Sequence, residues 1–155
     1  MSLERSAGAI IFRRDYGAIK YLLLHYPSMA HRSNRDYWDF AKGHVEKGES
    51  ELETVVRETA EETGIEDLIF VDGFRETMKY FFRFKTKLIF KVVSFRLAET
   101  RTETVTLSGE HDDFIWLTYQ DACRMISFAN ARRVMDKAND FLGKVIPADE
   151  ISKRD

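Results

Sequence analysis

The spacing of apolar and polar positions changes several times along the chain, and each change marks an element. Ser6 to Arg13 and Ile19 to His25 are apolar and rich in β-forming residues, and Asp15-Tyr16-Gly17 between them predicts a hairpin turn. Pro27 to Asp36 is polar and aperiodic, a loop by composition, and leads into Tyr37-Trp38-Asp39-Phe40. The period then becomes helical: Ser50 and Glu53 form a capping box, and Gly64 supplies a left-handed stop. At about 100° per residue, Leu52, Val55, Val56, Ala60 and Thr63 point one way and Glu58, Glu61 and Glu62 roughly the other. One face is therefore expected to anchor the helix and the opposite face to carry its chemistry. Leu68 to Phe84 and Thr86 to Leu97 read as long strands, Ala98 to Glu110 as a loop or ragged edge strand, and Phe114 to Leu117 as a short strand. Tyr119 to Met125 and Ala129 to Leu142 read as helices, the second with Val134, Ala138, Phe141 and Leu142 at helical spacing. Strands on both sides of one helix, with helices at the end, predict an α/β fold whose mixed sheet is covered on its faces.

Glu58, Glu61 and Glu62 fall within one turn, where like charges repel. A structural helix would set lysine or arginine among them, so a cation is expected there. Hard oxygen donors suit Mg²⁺ or Mn²⁺, and Mg²⁺ commonly combines a few carboxylates with substrate phosphates. Length and composition limit the rest: 155 residues with 44% apolar content fit a single domain over residues 1–155, with a core from about 6 to 142 and a charged, frayed tail after Pro147. A net charge of −2 excludes a broadly basic nucleic-acid binder. The single cysteine, Cys123, is read as a buried structural thiol. It forms no internal disulfide, no charged-then-apolar leader opens the chain, and no apolar run reaches membrane-spanning length, which together predict a cytoplasmic protein.

The carboxylates belong to a longer pattern: Gly43, then Glu49, Arg57-Glu58, Glu61-Glu62 and Gly64-Ile65. This resembles the Nudix box, and the order of elements from about Ser6 to Leu142 is similar to the Nudix α/β/α sandwich with its loop-helix-loop catalytic motif. The resemblance implies that Glu58, Glu61 and Glu62 hold metal ions with the carbonyl of Gly43, and that Arg57 pairs with Glu49 to brace the loop. Thr59 departs from the aliphatic residue usual there. The flanks narrow the branch: Trp38 and Lys42-Gly43-His44 before the box, Arg57-Glu58-Thr59 within it, and Ser108-Gly109-Glu110-His111 before Trp116-Leu117 resemble the asymmetrical diadenosine tetraphosphate hydrolases of animal and archaeal type. Ala41 and Lys47 stand where that branch often has proline. By this resemblance Glu110 is a further carboxylate facing the metals, Lys42, His44 and His111 approach phosphate, and Trp38 packs the loop.

Between Arg75 and Lys91 the cations Arg75, Lys79, Arg83, Lys85, Lys87 and Lys91 all occupy odd positions, which predicts a shared face within each strand. Tyr80, Phe82 and Phe84 lie between them as surface for a purine. By resemblance Tyr80 and Phe114 clamp adenine, while Arg83 and Lys87 contact phosphate. Metal ions would neutralise the polyphosphate and lower the pKa of water, with Glu61 or Glu110 as the base. The expected reaction is the asymmetric hydrolysis of diadenosine tetraphosphate to ATP and AMP. The same site would also suit RNA 5′ ends, diphosphoinositol polyphosphates or nucleoside triphosphates, and a module that senses nucleotides without cleaving them is the reading from another class. Nothing points to DNA or a membrane as partner.

Overall fold

The computed structural model describes residues 2–28 and 35–146. Most of the expected Pro27–Asp36 loop, and the tail after Pro147, lie outside the described residues. The elements are β1 (Ser2–Asp15), β2 (Ala18–Tyr26), β3 (Tyr37–Asp39), β4 (Ala41–His44), α1 (Glu51–Thr63), β5 (Ile69–Phe70), β6 (Glu76–Phe84), β7 (Lys87–Glu99), β8 (Asp113–Leu117), α2 (Tyr119–Met125) and α3 (Ala129–Val145). β1 starts before the apolar run because its polar beginning pairs in parallel with Ile89–Val92 of β7, so the backbone ladder extends it. The single strand expected from Leu68 to Phe84 is instead broken after Phe70 by a turn at Asp72-Gly73, where Gly73 adopts a φ of 91° that other residues rarely reach.

β1 organises the sheet. It runs parallel to β7 along one edge, while its other edge pairs first with β4 (Ser6–Ala9 against Ala41–His44) and then with β2 (Phe12–Asp15 against Ala18–Tyr21). β3 and β8 continue from β2, and β5 and β6 from β7. Alternation sorts the side chains. Ala7, Ala9, Ile11, Leu22 and Leu24 pack with Val55 of α1 on one face. Ile10, Phe12, Leu23 and Phe95 pack with Val134, Met135 and Ala138 of α3 on the other. The result is the expected α/β/α layering, and truncating a fully buried ring such as Phe95 to alanine would cost about 3–5 kcal/mol.

One expectation fails in an informative way, and another holds only strand by strand. Helix α1 has its predicted capping box and a left-handed Gly64, but it is rotated: Leu52 and Val56 are 41% and 50% exposed, whereas Thr54, Val55, Thr59, Glu62 and Thr63 are buried. The strands beneath offer Ala7, Ala9 and Ala41, small side chains that admit threonine methyls and a carboxylate close to the sheet. The working face therefore turns toward the sheet and does not oppose it. The basic hairpin also divides. Phe84 pairs with Lys87, so odd positions of β6 stand beside even positions of β7. Lys79 and Arg83 point to the α1 side of the sheet, and Lys87 and Lys91 to the α2–α3 side, so no single face carries all the cations.

Candidate active site

The loop from Gly43 to Ser50 leaves β4 and feeds α1, and Arg57 ties its parts together. The guanidinium donates Nε–H to Glu49 Oε2 at 2.7 Å and Nη2–H to Glu49 Oε1 at 3.0 Å, a bidentate pair, and also to the carbonyl of His44 at 3.0 Å. Its remaining nitrogen reaches Glu58 at 2.9 Å and Glu61 at 3.3 Å. Arg57, with Thr54 and the Glu46 backbone, holds the Glu49 carboxyl down at about 2. One arginine thus fixes the loop while sharing the charge of two helix carboxylates.

Gly43 pairs with Ala7, and the space beside its Cα is filled by the carboxylate of Glu58. Glu62 lies one turn further in and is 2% exposed. Its Oε1 accepts the Lys42 backbone N–H at 3.1 Å, while Oε2 accepts no hydrogen bond among the described residues and faces Nε2 of His111 at 3.3 Å. Burial, reinforced by Glu58 and Glu110, pushes the Glu62 carboxyl up to about 9. Burial also raises Glu58, with Arg57 countering and Glu61 and Glu110 adding. Glu110 is therefore close enough to repel both helix carboxylates, although its own side chain is exposed. Glu61 is 58% exposed at the outer rim. His111 is buried edge-on against the Tyr26 ring, with centroids 4.3 Å apart.

On the opposite side of β4, Lys42 lies over Gly8 of β1, and its ammonium meets Asp39 Oδ2 at 3.0 Å. Burial lowers the Lys42 pKa, but the charge and hydrogen bond of Asp39 together with Tyr80 and Tyr37 outweigh it, and the value is raised. Asp39 is itself buried, and Oδ1 accepts the Phe40 N–H at 2.7 Å. Tyr26, stacked on Tyr37 at 4.8 Å, offers its ring to the ammonium at 6.0 Å. Tyr80 adjoins the same charges, its pKa raised by burial with Lys42 opposing and Asp39 adding.

Several expected residues gather here and others do not. Glu58, Glu62, Glu110 and His111 neighbour one another and Gly43 on one side of β4, and Lys42 and Tyr80 lie on the other. His44 is exposed, 3.7 Å from Glu4. Tyr80 packs with the α2–α3 core and Phe114 with the α1 core, so the two rings do not face each other. Arg83 points away from Tyr80, whereas Lys87 shares its face. Trp38 packs as expected, 4.9 Å from the His25 ring. Cys123 is half-buried beside Asp136, and burial raises its thiol. Sequence reading missed Asp39, Gly8 and Tyr37; the proximity of Asp39 to Lys42 three positions on was the available signal.

The donor set suits a hard divalent cation: a buried carboxylate oxygen lacks a hydrogen bond, and three glutamates repel one another around it. Among the described residues no three acidic, histidine or cysteine side chains close on one point by themselves. The family model described as the NUDIX domain matches residues 2–138. The asymmetrical bis(5′-nucleosyl)-tetraphosphatase of Mus musculus is 38% identical over 148 residues, covering 89% of this chain and 95% of that protein. The Caenorhabditis elegans protein of the same name is 33% identical, covering 89% and 96%. The crystal structure of a C. elegans Ap4A hydrolase binary complex superposes with a TM-score of 0.77 at 33% identity, over 91% of this chain and 98% of that one.

Proposed function

The chain belongs to the NUDIX domain family and is a hydrolase, and from that premise we propose that it cleaves diadenosine tetraphosphate asymmetrically, releasing ATP and AMP. The observation that carries the reading is the buried, unbonded Oε2 of Glu62, set among Glu58 and Glu110 and one strand away from the Lys42 ammonium. A buried carboxyl whose ionised form burial and its neighbours disfavour is a group that a bound divalent cation would stabilise, and this supports a metal-dependent reaction on a polyphosphate. Relatives bearing the tetraphosphatase name over nearly their whole length support the substrate class.

In this proposal Glu58, Glu61, Glu62, Glu110 and the Gly43 carbonyl hold Mg²⁺ or Mn²⁺. The bound ions would neutralise phosphate charge and lower the pKa of the attacking water. Arg57, fixed by Glu49, keeps Glu58 and Glu61 in register with the loop. Lys42 meets the phosphate chain, with Lys87, His44 and His111 as further contacts. Tyr80 stacks the adenine next to the reacting phosphate, and Tyr37 walls that space. Glu61 or Glu110, both exposed, would take the proton from water. Water then attacks the phosphorus nearest the held adenosine. The bond from that phosphorus to its bridging oxygen breaks, AMP carries the new oxygen, and ATP leaves with the bridging one.

We further read the chain as one domain acting in the cytoplasm. No described helix is long and apolar enough to cross a membrane. A hydrolysis panel of diadenosine tetraphosphate, capped and 5′-triphosphate RNA, diphosphoinositol polyphosphates and nucleoside triphosphates tests the assignment. The expected result is highest kcat/KM for the dinucleotide, and preference for any other member overturns it.

A further inference from the structure

Three exposed apolar side chains, Leu3, Phe81 and Leu88, lie together on one wing of the sheet, on the α1 side and distinct from the residues assigned in the proposed reaction. Leu3 of β1 pairs with Phe90 of β7, and Phe90 with Phe81 of β6, making one row across three strands. Leu3 and Phe81 are 53% and 58% exposed, and the Phe81 and Phe90 rings lie 4.8 Å apart. The neighbouring rows place Arg5 and Lys79 on either side of Val92, and Arg83 beside the 36%-exposed Leu88. Arg5, Lys79 and Arg83 form no ion pair among the described residues. Arg75, by contrast, is held by Glu51 at 2.7 Å, and it lines with Leu3, Arg5, Lys79 and Phe90 a groove of about 480 Å³.

Lysines on an edge strand discourage aggregation, but that role does not explain an exposed ring, a half-buried ring and an exposed leucine in register between the cations. A second copy is disfavoured as occupant, since a two-fold interface sets each patch against its equivalent and would bring Arg5, Lys79 and Arg83 toward their own copies. A polyanion with flat apolar groups matches both features. Along β6, Lys79, Phe81 and Arg83 recur every second residue, about 7 Å apart, comparable to successive nucleotides in an extended strand. We propose that this face binds single-stranded nucleic acid, with bases stacked on Phe81 and Phe90 and phosphates meeting Arg5, Lys79 and Arg83.

The test uses the full chain and short fluorescent oligouridylate and oligothymidylate bearing 5′-hydroxyl ends, so that no terminal phosphate engages the hydrolytic site. Anisotropy should show salt-dependent binding, weakened about tenfold by Phe81→Ala. Lys79→Glu should weaken it at least as much and flatten the salt dependence. Both variants should retain the wild-type circular dichroism and the wild-type hydrolysis rate. Tighter binding of the uridylate would identify RNA as the source, and equal binding would identify any single strand. Absence of binding, or binding unchanged by Phe81→Ala, overturns the proposal. So does a concentration-dependent dimer in sedimentation that Phe81→Ala dissolves, which would make a second copy the occupant, or equal binding of an acidic peptide, which would reduce the face to a patch of charge.

Discussion

A Cβ added to Gly43 would lie 1.9 Å from the carboxyl carbon of Glu58. The glycine is needed here for space. Its neighbour across the sheet, Gly8, does the same on the other side: a Cβ there would sit 2.7 Å from Cβ of Lys42 and 2.4 Å from the carbonyl oxygen of Ala41. Two glycines on the adjacent strands β1 and β4 thus clear room for a carboxylate on one face and an ammonium on the other, bringing opposite charges within reach of one substrate.

Gly43→Ala is expected to displace the Glu58 carboxylate while leaving the fold intact, since only a side-chain terminus must move. A displacement near 1 Å at a reacting centre costs on the order of a hundredfold in rate. Steady-state kinetics with a parallel melting curve checks this. Gly8→Ala meets backbone at Ala41 and should lower the melting temperature instead.

Glu62→Gln should abolish most turnover without destabilising the protein. The substitution keeps shape and removes a carboxyl whose ionised form burial and its neighbours disfavour. Melting curves with and without Mg²⁺ or Mn²⁺ read the outcome: divalent ions should raise the melting temperature of the wild type, and of Glu62→Gln much less. Equal metal stabilisation of both would remove Glu62 from the ligand set.

How far the sequence led is clearest along α1. Its caps were readable because Ser50, Glu53 and Gly64 act locally, and they stand as expected. Its rotation was not, because burial of Thr59 and Glu62 depends on small residues from strands distant in sequence. In the basic hairpin the cations share a face within each strand, as expected, but the two strands present opposite faces. Odd spacing reports the faces within one strand, but the turn sets which faces adjoin, and Lys85-Thr86 carries no glycine although Lys85 adopts a φ of 59°. Asp39 was hidden in a short apolar stretch, where only its spacing of three from Lys42 pointed to the pair.

The link between Glu49 and Arg57 should leave a signature at acid pH. The folded carboxyl is held at about 2 against an ordinary 4.5, so the folded state binds fewer protons than the unfolded one in that interval. Its contribution is fully present above about 4.5 and is lost as pH falls toward 2. Melting temperature against pH should therefore fall through this window less steeply in Glu49→Gln, which has no such proton to gain.

Tyr80 and Phe114 should separate in their effects. Tyr80→Ala is expected to weaken binding of an adenine nucleotide by about 1–3 kcal/mol, the scale of one base–aromatic stack, with little change for inorganic pyrophosphate. Phe114→Ala removes a half-buried ring from the α1 core and should act through the melting temperature. Calorimetric titration of both ligands checks the pair, and equal losses for pyrophosphate at Tyr80 would show that no base sits there.

Hydrolysis of diadenosine tetraphosphate in isotopically labelled water tests the central claim most directly. An adenine held on Tyr80, with its phosphate reaching around β4 to the carboxylates, exposes the phosphorus nearest that nucleoside to water, so the label should appear in AMP and be absent from ATP. Label in ATP, two molecules of ADP, or no turnover of the dinucleotide would contradict the account.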